Sequence, residues 1–167
     1  QNRPTKNKII QVTTAQEMYA AVEQHIVGID IFIGVAAVAD YFCRNPAAQK
    51  IHKQGELLTI QLERTPDIIS EVAKRVNKPF IIGFAAETEN VVENATAKRL
   101  RKGMDVIIAN QVGNGLAFEQ DENAVTLISA EGSEEFALTT KNKLARQLVE
   151  RIAALYKVKM ANVVKIA

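Results

Sequence analysis

Two segments of the chain end in the same chemical pattern. Gly34-Val35-Ala36-Ala37-Val38-Ala39-Asp40 and Gly83-Phe84-Ala85-Ala86-Glu87 each run from a glycine through small residues to an acid. Each follows an apolar run, Ile31-Phe32-Ile33 or Phe80-Ile81-Ile82, that reads as a buried strand. In open α/β sheets ligands sit outside the carboxyl ends of the strands, so the two tips mark a shared rim where chemistry would be sought. Gly34 and Gly83 have no side chain and would let a ligand approach the backbone closely. The same small residues would equally let helices pack close on the sheet. A third group is basic: Lys50-Ile51-His52-Lys53 lies within a long loop expected from Tyr41 to Gly55, and long loops at sheet ends are often lids or binding loops. The two histidines and the single cysteine lack structural zinc-site spacing.

A chain of 167 residues suits one domain and can bury a real core without metal or disulfide staples. Its 21 basic and 19 acidic residues nearly cancel, so net charge gives it no polyanion-binding character. It has no basic tract and no repeated aromatic–basic pattern, so nucleic acid is not an expected partner. Cys43 is the only cysteine, which excludes a disulfide framework within one chain and fits a reducing, cytoplasmic setting. No apolar stretch reaches the length of a membrane span, and no signal peptide is visible.

The elements that would position these residues follow in order. Gln1 to Asn7 reads as a loop, and Lys8 to Val12 as a short strand. Thr14 and Glu17 form a capping box for a helix whose apolar face holds Met18, Ala21, Val22 and His25 to Ile26. The Ile31 strand and the Tyr41 loop come next, with Asn45-Pro46 disfavouring helix, and then a strand from Leu57 to Leu62. Thr65-Pro66-Asp67 reads as cap, first-position proline and first-turn acid of a helix that buries Ile68, Ile69, Val72, Ala73 and Val76. The Phe80 strand precedes a helix over 90–102 that ends at Gly103, and then a buried strand from Met104 to Asn110. Gln111 to Glu122 reads as a loop, and a hairpin of 124–129 with 134–138 turns at Glu131-Gly132-Ser133. Thr140 caps a last helix, Leu144 to Tyr156, leaving 157–167 as a tail. Strands alternating with helices predict an α/β fold: a three-layer, mainly parallel, Rossmann-like sheet with an antiparallel C-terminal hairpin.

Six stretches in this order carry a resemblance: Ala36 to Tyr41, Lys50 to Lys53, Thr65 to Ile68, Gly83 to Thr88, Lys98 to Lys102, and Ala109-Asn110. Together they resemble phosphopantothenate–cysteine ligase, also called phosphopantothenoylcysteine synthetase. In bacteria this is usually the C-terminal domain of a bifunctional coenzyme A biosynthesis flavoprotein. The match runs from about Lys8 to Tyr156, so residues 1–156 are expected to form a single ligase-like domain. The resemblance implies that CTP and Mg²⁺ convert the carboxylate of 4′-phosphopantothenate into an acyl cytidylate, and that the amine of L-cysteine then displaces CMP. FMN would belong only to the decarboxylase half, which is absent here.

Carried over by position, Gly34, Val35 and Ala36 would offer backbone groups to the nucleotide, and Asp40 would face the nucleotide or its metal. Lys50 matches the family's flap lysine and would contact charge on the reacting acyl phosphate; His52 would add flap electrostatics. Pro66, Asp67, Ile68 and Ile69 match a segment lining the nucleotide site, and Phe84 would pack near the base or ribose. Lys98 and Lys102, four apart on one helical face, would bring two cations to the triphosphate. The bland alternatives are a solvated loop lysine, a capped helix, a core phenylalanine and a solvated basic stripe.

The family normally opens with a strand, a Gly-rich turn and a segment supplying an asparagine for the acyl cytidylate. Here the chain reaches a later strand at once, which leads to the expectation of a fragment, a processed product or part of an assembly. The family also implies a homodimer, with 41–62 and the late hairpin as contact surfaces. Two other readings compete: a non-catalytic CTP-binding or dimerisation module, and a nicotinamide-dependent oxidoreductase. Against the second stands the absence of a Gly-x-Gly-x-x-Gly turn, for which Gly113-Asn114-Gly115 is too short a match.

Overall fold

A computed structural model describes residues 7–52, 55–112 and 121–164. Helix α1 (Ala15–His25) starts as its sequence requires: Glu17 donates its amide to Thr14 Oγ1 at 3.1 Å, and its carboxylate accepts the Thr14 amide at 3.1 Å. Strand β1 (Ile31–Gly34) follows, and then a separate two-stranded antiparallel sheet of β2 (Tyr41–Cys43) and β3 (Leu62–Arg64). Helix α2 (Ile68–Ala73) leads to β4 (Phe80–Glu87), α3 (Val91–Lys102), β5 (Val106–Gln111), β6 (Glu122–Ser129), β7 (Gly132–Thr140) and α4 (Lys141–Val164).

The main sheet has the order β1-β4-β5-β6-β7. Its first three strands are parallel and the last two add antiparallel pairings, as the alternation of elements predicts. Strand β4 is apolar along most of its length because both faces are covered. On one face Ile81, Ile107 and Ile128 pack with Ile26 at the C-cap of α1, Val72 of α2 and Ala95 of α3. On the other, Phe80, Ile82, Val106, Ile108 and Leu127 meet Leu144, Leu148, Ile152 and Leu155 of α4. That spacing is one stripe of a helix with 3.6 residues per turn. Helix α3 ends at Gly103, whose left-handed φ of 68° turns the chain, while the Met104 amide closes on the Arg99 carbonyl at 3.0 Å.

Several expectations are corrected. Lys8 to Val12 forms no strand: a strand needs a neighbour, and nothing among the described residues pairs with it. Tyr41–Cys43 is strand rather than loop, and its partner begins at Leu62, so 57–61 is not strand. Asp67, not Thr65, caps α2, its carboxylate accepting the Ser70 amide at 3.2 Å; Pro66 lies outside the helix. Gly132 opens β7 rather than sitting mid-turn, and Thr140 closes that strand. Helix α4 then begins at Lys141 and continues past Tyr156 to Val164, so 157–164 is not a loose tail. Lys159 anchors the added turns, its ammonium 2.6 Å from Asp105 Oδ1 and 5.4 Å from the Phe80 ring centroid.

Candidate functional site

The register of β1 on β4 sets Gly34 directly opposite Gly83, but only the first glycine-to-acid segment leaves the sheet there: β1 ends at Gly34, whereas Gly83 to Glu87 continues as β4, paired with β5. The glycines themselves serve packing. A Cβ on Gly34 would lie 3.0 Å from Ile69 Cδ1, and one on Gly83 would collide with Met104 Sδ and touch Ile69. Both bare positions are roofed by α2 and Met104, so on this face close helix packing, not ligand approach, explains the glycines. Ile68 is buried and Ile69 packs on the same core, so these two act as the floor of α2. Val35, Ala36 and Pro66 are exposed.

A chain of contacts gathers most of the other candidates. Asp40 is exposed, and its carbonyl accepts the Thr65 amide at 2.9 Å, which ties the end of the first segment to the residues just before α2. Two residues on, Asp67 accepts Lys102 Nζ at 2.8 Å. One turn earlier on α3, Lys98 Nζ lies 3.5 Å from Glu87 Oε1 at the end of β4. Partial burial would raise the Asp67 carboxyl, but the Lys102 ammonium and then the Ser70 amide overrule it, and its pKa is lowered. The two expected phosphate-binding lysines are therefore each held by a carboxylate rather than solvated freely.

Two candidates are not brought into this group. Lys50 is exposed on the excursion that begins and ends where the Arg44 amide meets the Gln61 carbonyl at 3.1 Å. No hydrogen bond or ion pair among the described residues links it to the rim. His52 on the same excursion is exposed, and Lys53 lies outside the described residues. Phe84 is half-buried against the α4 core, on the opposite face of the sheet from Ile69. The strand's two-residue period decides this, since Gly83 and Phe84 must point to opposite faces.

Sequence reasoning missed two residues as site members. Glu87 was visible as a strand-ending acid, but only the packing of α3 against β4 brings Lys98 to it. Thr65 is 6% exposed, and its hydroxyl has no partner among the described residues. As a metal ligand Asp40 stands without company: no group of three or more His, Cys, Asp or Glu gathers among the described residues. One exposed carboxylate fits Mg²⁺ only in the manner in which substrate phosphates and water complete the shell. Two concavities lie away from the rim. One of about 360 Å³ runs along α1 between Ile10, Met18, Val22 and Phe32; the other, about 350 Å³, lies between Phe80, Asp105 and Lys159 at the opposite end of β4.

Residues 1–156 match the family described as DNA/pantothenate metabolism flavoprotein C-terminal domain. The chain is similar to the coenzyme A biosynthesis bifunctional protein CoaBC of Haemophilus influenzae, with 45% identity over 148 residues, covering 88% of this chain and 37% of that protein. For the Escherichia coli K12 protein of the same name the identity is 42% over 154 residues, with 89% and 38% covered. The chain thus spans little more than a third of the length of these relatives. A crystal structure of the C-terminal domain of CoaBC superposes with a TM-score of 0.75 at 35% identity, covering 94% of this chain and 70% of that one. A flavoprotein structure from Streptococcus pneumoniae shares the fold, with a TM-score of 0.71 at 20% identity over 93% of this chain and 75% of that one.

Proposed function

The chain belongs to the DNA/pantothenate metabolism flavoprotein C-terminal domain family, and from that premise we propose that it carries the CTP site of a ligase joining 4′-phosphopantothenate to L-cysteine in coenzyme A biosynthesis. The observation that carries this reading is the contact chain from Asp40 through Thr65 and Asp67 to Lys102, with Lys98 one turn away. It links two ammoniums and an exposed acid with the ends of β1 and β4, which supports a site where a nucleotide triphosphate and its Mg²⁺ would be held.

The chemistry has two steps. A carboxylate oxygen of phosphopantothenate attacks the α-phosphorus of CTP, and the bond to pyrophosphate breaks. The cysteine amine then attacks the acyl carbon, and CMP leaves with the electrons of the carbon–oxygen bond. Gly34, Val35 and Ala36 would meet the nucleotide through their backbone, and Pro66 to Ile69 would shape its bed. Phe84 would contact the base or ribose past the sheet edge. Lys98 and Lys102 would take the phosphates, and Asp40 would hold the cation, which when bound neutralises phosphate charge. Lys50 would come to the acyl phosphate when its loop folds over the rim. The protein's contribution is to hold two anions in line and to face the charge that grows at phosphorus.

Pyrophosphate release by this chain with CTP, Mg²⁺ and phosphopantothenate tests the reading. Release that depends on phosphopantothenate is the expected result, and its extension to product requires cysteine. The exposure of Lys50, with no hydrogen bond or ion pair to the rim among the described residues, favours one alternative, a CTP-binding or dimerisation module without acyl transfer. That reading expects saturable CTP binding with no pyrophosphate release. The domain is taken to cover residues 1–156, to act as a homodimer in the cytoplasm, and to leave FMN to a separate decarboxylase domain.

A further inference from the structure

Lys98 and Lys102 are gripped from two different elements. Glu87, the last residue of β4, takes the first, and Asp67, the cap of α2, takes the second. Glu87 is not a surface acid that happens to lie near a lysine. Its side chain is 18% exposed, its backbone is set in the ladder opposite Gln111, and its carbonyl accepts the Val112 amide at 2.9 Å. A carboxylate so withdrawn from water, at a rim that receives an anion, repels that anion unless its effect on Lys98 is larger. The geometry favours the larger effect. A lysine stem has many rotamers, and a ligand that must order it loses affinity. Each ammonium has three donors: the 2.8 Å contact with Asp67 leaves two on Lys102 for phosphate oxygens, and Lys98, in a 3.5 Å ion pair with Glu87, keeps at least as many.

We propose that Glu87 is a positioning residue for oligophosphate recognition: it fixes the Lys98 ammonium at the rim as Asp67 fixes Lys102, so that the two lysines meet a nucleotide's phosphate chain as a preset pair. The proposal rests on the nucleotide reading above, and calorimetric titration of the whole chain with CTP and Mg²⁺ separates the two. A wild-type chain that takes up no CTP defeats the nucleotide reading itself. Where the wild type binds, Glu87→Gln weakens CTP about tenfold, the effect of leaving one long side chain for the ligand to order. CMP, too short to span both lysines, binds the variant as it binds the wild type. In a Lys98→Gln background the Glu87→Gln change adds nothing, because the glutamate acts only through that lysine. Equal or tighter CTP binding by Glu87→Gln overturns the proposal, and so does an equal loss for CTP and CMP. Glu87→Ser carries the same comparison if the glutamine variant does not fold.

Discussion

At the scale of single residues, Asp67 combines two duties. It caps α2 through Ser70 and pairs with Lys102, and its pKa is lowered from 3.8. A carboxyl with a depressed folded-state pKa adds stability above its unfolded value and loses that contribution as pH falls through the folded value. Asp67→Asn keeps a good cap but removes the ion pair. Its deficit in Tm against the wild type is therefore expected in full above the unfolded value and to close as pH falls through the lowered folded one, and a deficit that persists unchanged in acid would contradict the linkage. The pair is partly exposed, so its worth is below about 1 kcal/mol. The glycines give a second prediction. Gly83→Ala drives a methyl into buried Met104 and should cost about 1–3 kcal/mol in chemical denaturation, more than Gly34→Ala, where Ile69 need yield only slightly. Lys50→Gln belongs here too: with the fold intact by circular dichroism, product formation should be abolished, and near-normal turnover would remove Lys50 from the chemistry.

At the scale of elements, the last turns of α4 are held by a different logic from its start. Leu144 to Leu155 bury an apolar stripe, whereas the turns beyond depend on Lys159, which meets Asp105 Oδ1 and lies over Phe80. The other oxygen of Asp105 accepts the Ile81 amide at 2.9 Å, so the same carboxylate ties β4, β5's approach and α4 together. Lys159→Met keeps the stem's apolar cover and loses the charge. It is expected to lower stability by about 0.5–1 kcal/mol and to loosen only the end of α4 in hydrogen exchange. Protection lost equally along Leu144 to Leu155 would show that the helix stands or falls as one unit. The mini-sheet of β2 and β3 is the converse case, a short pairing with little core beneath it, and it carries Lys50 on its excursion.

At the scale of the whole molecule, the excursion from Tyr41 to Leu62 leaves a large apolar surface outside the core. Leu57 is 92% exposed and Leu58 67%, with Tyr41, Ile51, Ile60 and Leu62 also exposed. This many exposed apolar side chains on one excursion suit contact with another protein surface. The proposed homodimer uses it, and the double change Leu57→Lys with Leu58→Lys should convert a dimer to a monomer in sedimentation equilibrium while leaving the far-UV spectrum unchanged. A dimer that survives the double change would move the interface elsewhere, with the β6–β7 hairpin the next surface to alter.

The sequence by itself determined the elements whose signals are local. The capping box at Thr14, the left-handed stop at Gly103 and the apolar runs of β1, β4 and β5 depend on neighbours a few residues away, and each formed where its residues required. The order of those elements also settled the parallel sheet with its antiparallel hairpin. The resemblance of six ordered stretches identified the family without help from the fold. What only the tertiary structure decided concerns partners far apart in the chain. Lys8 to Val12 has strand residues but no neighbour to pair with, and 57–61 yields its pairing to Leu62–Arg64. The extension of α4 beyond Tyr156 depends on Asp105, 54 residues earlier than Lys159. The glycines allow either ligand approach or close helix packing, and on one face a helix roof fills the space above them. The pairing of Lys98 with Glu87 and Lys102 with Asp67 likewise exists only once α3 has packed against β4 and α2. Period and capping are properties of a short segment; which side chain meets which carboxylate is fixed only when separate segments fold onto one another.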